Sequence, residues 1–304
     1  MALEISAATP TQIVLKLASK NQDELKKVSI QISSGQKHTD FIGFAEDATT
    51  ESFLGFKTSI GNIDTYVRSN NSGIARAKTA DSSIAKIQEL ATDLAKLLVQ
   101  RRNAASGDNI PFTNEAESIL QKIADQLNIQ FDGRYLFAGS KTDTRPVTNI
   151  TSSNLGTGDA PTDIYYQGDN VVPTVKSSDS EEVEYGVLAN TQAFKDLIGA
   201  AHLGIAADEE ESDNKLGSAI DLVNSAISDL TSVRAVTQSA ISKMDKSNQT
   251  HNDIKLLIQE NLDKVSQTDI VQATSKMSDL QAIVQASYLA FTRLSNLRLT
   301  NFLN

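Results

Sequence analysis

The 304-residue chain contains no cysteine and no tryptophan. Without cysteine there is no disulfide, no thiolate-ligated zinc or iron–sulfur centre and no thiol nucleophile. Proline is scarce at 5 residues and glycine at 15, both under ordinary usage. Aromatic residues make up only 5%, so little of the large buried area that rings supply is on offer. Few breakers and few rings argue against a β-sandwich and for long helices. No apolar run approaches the roughly 18 residues that span a bilayer. The opening, Met1-Ala2-Leu3-Glu4-Ile5-Ser6, lacks the basic start and apolar stretch of a cleaved signal peptide. Export, if it occurs, is expected by a route without cleavage. Positive charge is in deficit too: 28 Lys and Arg against 38 Asp and Glu leave a net charge of −10. Such a chain repels phosphate backbones and shows no basic stripe, so neither nucleic acid nor a membrane is an expected partner.

What is present is organised by the breakers. Pro146, Pro161 and Pro173 crowd the middle, and no proline follows them or stands between Pro10 and Pro111. Two helical parts therefore flank a short section of a different kind. There Leu136–Gly139, Ile164–Asp169, Val171-Val172 and Glu184–Val187 are β-prone pieces between Gly, Pro, Asn and Asp. The expected fold is mainly α: long antiparallel helices forming a rod, with terminal coiled-coil segments and a small antiparallel β region in mid-chain.

The helical signal is a heptad. Toward the C-terminus Ile270, Met277, Val284 and Phe291 recur every seven residues, with Ala273, Leu280, Ser287 and Leu294 three positions after each. These are the a and d positions of a coiled-coil seam. Near the N-terminus Val14, Asn21 and Val28 alternate with Ala18, Leu25 and Ile32 in the same rhythm. A third stretch sets Ile60, Val67 and Ile74 beside Ile63, Asn70 and Ala77, then shifts phase through Ala80, Ile84, Ala91, Leu94 and Leu98. Asn114-x-x-Glu117 marks a helix start for 114–130. Each terminal segment has one apolar stripe and so needs a partner helix. The heptads fit either a self-contained bundle or packing between chains. We read the two ends as natural partners for each other, exposed in the monomer and ordered by neighbouring copies. The terminal seam residues are thus the candidate assembly interface.

Catalytic patterns are not found. His38, His202 and His251 are scattered, and no phosphate-loop or dinucleotide glycine pattern occurs. Gly43, Gly133 and Gly139 read as turns, and His251 as a solvated helix position. Asp208–Asp213 holds five acids in six residues, without the alternation and turn glycine of a calcium loop. It reads as an exposed loop whose charge favours the N-terminal end of a helix beginning near Asn214. No catalytic residue, metal site or cofactor is expected.

Several stretches together resemble the flagellin family. Ile32-Ser33-Ser34-Gly35-Gln36-Lys37 resembles the block that closes the first terminal helix in flagellins and their junction relatives. Phe131–Thr144, with Gly133-Arg134-Tyr135-Leu136-Phe137-Ala138-Gly139 at its centre, is similar to the stretch typical of the hook–filament junction branch, hook-associated protein type 3. Ser232-Val233-Arg234-Ala235, Lys243-Met244-Asp245 and the ending from Gln285 through Leu294 to Leu303 also match family elements. The segment Thr39–Asp47 departs from the family pattern where the inner and outer helices are joined.

The resemblance implies inner segments 1–45 and 265–304, a helical body of 46–131 and 191–264, and a small β-rich outer insertion, 132–190. It implies export through the flagellar type III channel and assembly outside the cell into a ring or tube. The partners it implies are further copies of the chain, an adjacent hook-associated protein, flagellin and an export chaperone. A filament flagellin is the near alternative, and a secreted helical adhesin or type III tip protein the alternative of a different class. Residues 148–186 are expected to be a peripheral appendage that few buried contacts tie to the helices.

Overall fold

The computed structural model describes residues 10–38, 49–103, 111–148, 150 and 163–302; of 10, 11, 163 and 294–302 it describes the backbone alone. The segment 39–48, where the sequence departs from the family, lies outside the described residues, as does Gly43. Six α-helices and two small antiparallel sheets account for the described chain. In order they are α1 (Pro10–Ser34), α2 (Thr50–Asn103), α3 (Phe112–Leu127), β1 (Gln130–Phe131), β2 (Arg134–Tyr135), a 3-10 turn (Asp163–Tyr165), β3 (Thr174–Lys176), β4 (Glu182–Glu184), α4 (Gln192–Glu209), α5 (Asp213–Ser266) and α6 (Ile270–Phe302). The mainly α class with a small mid-chain β region is therefore what forms. Contacts divide the chain into two units, one gathering both ends up to Gly61 and from Lys255, the other Asn62–Ile254.

In the first unit α1 lies antiparallel to α6. Gly35 ends α1 with φ +70, a left-handed conformation that costs glycine nothing and other residues about 1–2 kcal/mol. Its N–H reaches the Gln31 carbonyl at 2.9 Å, satisfying one of the carbonyls that a helix end leaves over. The Lys37 N–H donates to the Ser266 carbonyl at 2.7 Å, and the Thr268 N–H to the Gly35 carbonyl at 2.9 Å. This backbone staple ties the end of α1 to the corner between α5 and α6. Asp269 caps α6: its Oδ1 accepts from the N–H groups of Val271 at 3.0 Å and Gln272 at 3.1 Å.

The second unit holds the main core. Ile84, Ile87, Leu94 and Leu98 of α2 pack with Leu120, Ile123 and Leu127 of α3, Phe194 and Leu197 of α4, and Val223 and Leu230 of α5. The phase-shifted heptad of α2 supplies this face: Ala80, Ile84, Ala91, Leu94 and Leu98 are all buried. Helix α3 begins at Phe112, two residues before the expected Asn114. Phe112 is fully buried, and its anchoring draws the first turn back to Pro111. A Cβ added to Gly204 of α4 would lie 2.6 Å from Leu98 Cδ2 and 3.1 Å from Phe112 Cζ, so glycine there lets three helices close together.

The β region differs from expectation in extent. Leu136–Gly139, Val171-Val172 and most of Ile164–Asp169 form no strand, and only Glu184 of Glu184–Val187 does. Phe137 and Ala138 are buried in succession, which alternation across a pleated strand does not allow. Their carbonyls accept instead from the N–H groups of Ala189 at 3.0 Å and Asp169 at 3.2 Å. Nor does residue range 148–186 stand clear of the helices. Val183 and Tyr185 pack on Ile74, Ala77, Ile241 and Met244 of α2 and α5. Tyr165 is buried in the main core, its hydroxyl donating to the Ala189 carbonyl at 2.9 Å. The expectation of few buried contacts is corrected, because Val183 and Tyr185 cover the seam between α2 and α5.

Replacing 148–186 by a Gly-Ser linker is thus expected to destabilise the second unit, at about 1.5–3 kcal/mol for each large side chain lost from the core. A denaturation midpoint equal to that of the intact chain would restore the appendage reading.

Candidate assembly surfaces

The residues named as an assembly seam come together within one chain. On α1, Ala18 and Val28 are buried, while Val14, Asn21, Leu25 and Ile32 are half-buried. On α6, Ala273, Leu280 and Val284 are buried, and Met277, Ser287 and Phe291 half-buried. Val28, Ala273 and Leu280 form a small core with Leu25, Ile32 and Met277 packed on it. Ile270, the first residue of α6, falls outside the seam at 56% exposed. The side chain of Leu294 lies outside those described. Lys276 pairs with Glu24 at 3.5 Å, and Gln22 Nε2 donates to the Tyr288 hydroxyl at 2.5 Å. The seam expected to be open in the monomer is closed by the chain's own two ends.

What stays open is a second set of apolar residues on the same pair. Ile13, Leu15, Leu17 and Ile30 of α1 are exposed, as are Val271, Ile283 and Leu289 of α6, the last at 63%. Leu256 and Leu257 near the end of α5 are also exposed. Periodicity did not single these residues out. Once the seam is assigned, however, every large apolar residue left over on α1 and α6 is a candidate contact surface.

The glycine-rich stretch in mid-chain is built for turning. Asp132 (φ 50) and Gly133 (φ 72) form the two-residue loop of the β1–β2 hairpin, with Gln130 opposite Tyr135 and Phe131 opposite Arg134. Gly139 is left-handed at φ +70, and a Cβ there would lie 2.2 Å from Asp169 Oδ1. Asp169 fastens the turn: its Oδ1 accepts from the Ser140 N–H at 2.9 Å and the Val171 N–H at 3.1 Å, and its Oδ2 from the Ser140 hydroxyl. The Ser140 hydroxyl and N–H hold the Asp169 carboxyl below the usual carboxylate range. Tyr166 donates to the Asp169 carbonyl at 2.6 Å. Burial, with the Asp169 charge adding to it, pushes that phenol up to about 12. Asp169 was not legible as a partner of Gly139, since 30 positions of chain separate them and no pattern links the two.

Two further clamps join the helices of the second unit. Arg234 Nε donates to Asp81 Oδ1 at 3.1 Å, its NH1 group to Gln88 Oε1 at 3.3 Å, and Gln238 Nε2 to Asp81 Oδ2 at 2.8 Å. Arg234 sits in one of the stretches that carry the family resemblance. His251 is corrected from a solvated position to a buried one. Its Nε2 donates to the Ser177 carbonyl at 2.7 Å, and its ring stacks on Tyr66 at 5.5 Å. The carbonyl of a loop following β3 is what fills that side of the helix. The acidic run divides as well: Asp208 lies in the last turn of α4 and pairs with Arg101, Glu210 takes Lys215 at 2.6 Å, and Asp213 opens α5. Among the described residues no three His, Asp or Glu are grouped to hold a metal ion.

The family described as the bacterial flagellin N-terminal helical region matches residues 5–142. A flagellin of Brucella melitensis is 25% identical over 221 residues, covering 72% of this chain and 70% of its own length. Over residues 5–142 this chain is thus of the flagellin N-terminal type. It is a structural, exported component of the bacterial flagellum. Solved structures share its fold. A flagellar hook-associated protein of Vibrio parahaemolyticus superposes with TM-score 0.52 at 15% identity, covering 71% of this chain and 97% of that one. FlgL of Bacillus cereus gives 0.54 at 15%, covering 67% and 97%. FlgL of Xanthomonas campestris gives 0.56 at 12%, covering 68% and 99%.

Two outcomes follow from the geometry. Val284→Asp puts a carboxylate into a closed seam, at a cost of several kcal/mol, and is expected to unpair α1 and α6 in the isolated chain. Circular dichroism of the monomer unchanged from wild type would show the seam closes only between chains. Asp169→Ala removes a carboxylate whose folded value is depressed. Its contribution is present above the unfolded value of about 4 and is lost as pH falls through the folded value. Wild type is therefore expected to exceed the variant in stability at pH 7, and the two to converge below about pH 4. A gap independent of pH would assign the effect to the neutral packing of the loop.

Proposed function

We propose that this protein forms the junction between the flagellar hook and the filament, assembling through its paired terminal helices. The observation that carries the assembly reading is the exposure of apolar side chains, Ile13, Leu17, Ile283 and Leu289 among them, on a helix pair whose seam is already filled. A neighbouring copy offers the same pair and so the same apolar cover. The seam residues Val14 to Ile32 and Ala273 to Phe291 then serve assembly by holding α1 and α6 as one unit, and the exposed side chains make the contact.

The junction position is favoured by the Gly133–Lys141 stretch, which resembles the junction branch, and by the shared fold with FlgL and hook-associated proteins. In this reading residues 1–45 and 265–304 form the inner wall, 46–131 and 191–264 the body and 132–190 its outer part. The chain passes unfolded through the flagellar type III channel with a chaperone, then meets a hook-associated protein on one side and flagellin on the other. A role without catalysis suits a molecule whose clustered polar groups are spent on turns and clamps. The Brucella flagellin relative supports the second reading, a filament subunit. Immunogold labelling separates the two: label confined to the distal end of the hook is expected. Label along the filament would overturn the junction assignment and leave assembly through the terminal pair intact.

A further inference from the structure

The chain has three methionines, and the two with described side chains occupy opposite surroundings. Met244 is fully buried on α5 among Ile74, Ala77, Ile241 and Tyr185. Met277 is half-buried on α6, at the margin of the small cluster that joins α6 to α1. That cluster consists of Val28, Ala273 and Leu280, with Leu25, Ile32 and Met277 packed on them. None of these five neighbouring side chains carries a hydrogen-bond donor. An oxygen placed on the Met277 sulfur would find no donor among these five, so it must either turn toward solvent and out of the cluster or stay unpaired at a cost. The pair has no large core in reserve, since beyond the cluster the seam adds only Ala18 and Val284 as buried apolar residues, beside the polar Asn21 and Ser287.

We propose that Met277 is an oxidation site that controls the pairing of α1 and α6, with hydrogen peroxide as the oxidant class. The thioether sulfur attacks one peroxide oxygen; the S–O bond forms as the O–O bond breaks, and the departing oxygen leaves as water after a proton shift. Sulfur loses two electrons and the peroxide gains them. The product is a polar sulfoxide in place of a flexible apolar side chain. Reaction at Met277 is set by access from solvent, and Met244 is protected by complete burial. Reduction of the sulfoxide by a methionine sulfoxide reductase, drawing two electrons from a dithiol and releasing water, restores the thioether. The proposal rests on the α1–α6 packing alone and not on where in the flagellum the protein sits.

The test treats the full chain with dilute hydrogen peroxide and follows both methionine-containing peptides by mass spectrometry. Met277 is expected to take up oxygen at least about tenfold faster than Met244. As it does so, far-ultraviolet circular dichroism should lose helix, and proteolysis should begin within α1 and α6. Reductase with dithiothreitol should return the signal, and Met277→Leu, similar in volume, should keep its helix throughout. Equal rates at the two sulfurs would overturn the proposal, as would complete Met277 sulfoxide with helix content unchanged. Loss of helix in Met277→Leu as large as in wild type would also overturn it, by placing the damage elsewhere.

Discussion

The need of each long helix to cover a single apolar stripe governs the architecture. Neither α1 nor α6 has rings or branched residues enough to bury a wide face, so each can be stable only against another helix. They meet across alanines and a few larger residues, which bring the backbones close but leave a core of six side chains. In the second unit the same constraint is met on a larger scale, with four helices and Phe137, Val147 and Tyr165 from the mid-chain loops sharing one core. Where the stripe of α2 and α5 runs past the end of α3 and α4, the β3–β4 hairpin takes over the covering with Val183 and Tyr185. The hairpin is therefore part of the fold's economy of burial, although its own strands are only three residues each.

The stretch that carries the flagellin resemblance most sharply is built of turns. Gly133 and Gly139 are both left-handed, and the second cannot carry a side chain because Asp169 occupies that space. Phe137 and Ala138 between them are buried, and Arg134 is turned outward. Several local requirements coincide here in few residues. Arg234 is a comparable case, since one guanidinium reaches both Asp81 and Gln88 on the facing helix.

The terminal pair separates two roles that heptad periodicity alone leaves merged. The stripe that repeats every seven residues is consumed inside the chain. The residues free for a neighbour are the ones that fall out of the repeat. On the proposed reading, apolar side chains exposed beside a filled seam let a subunit pair its ends before it meets another copy. The small size of the seam core also makes this region responsive to a single polar atom, whether introduced as Val284→Asp or as a sulfoxide on Met277.

The sequence by itself determined the helical class, the place of the β region, the helix end near Gly35 and the resemblance to flagellins. Each of these rests on signals that are local or periodic: helix breakers confined to mid-chain, repeats of seven, a glycine where the backbone turns left. It also determined which faces of α1 and α6 are apolar, and Ala18, Val28, Ala273, Leu280 and Val284 are buried accordingly. Only the tertiary structure decided what covers those faces. Periodicity describes a stripe and is silent on whether the matching stripe belongs to the same chain. For the same reason His251 read as solvated until a carbonyl from a loop 74 residues away closed over it. The mid-chain segment read as an appendage until Tyr165, Val183 and Tyr185 were seen in the core. Contacts between residues far apart in sequence leave no period and no spacing, and these are the contacts that made the hairpin a cover and the seam an internal one.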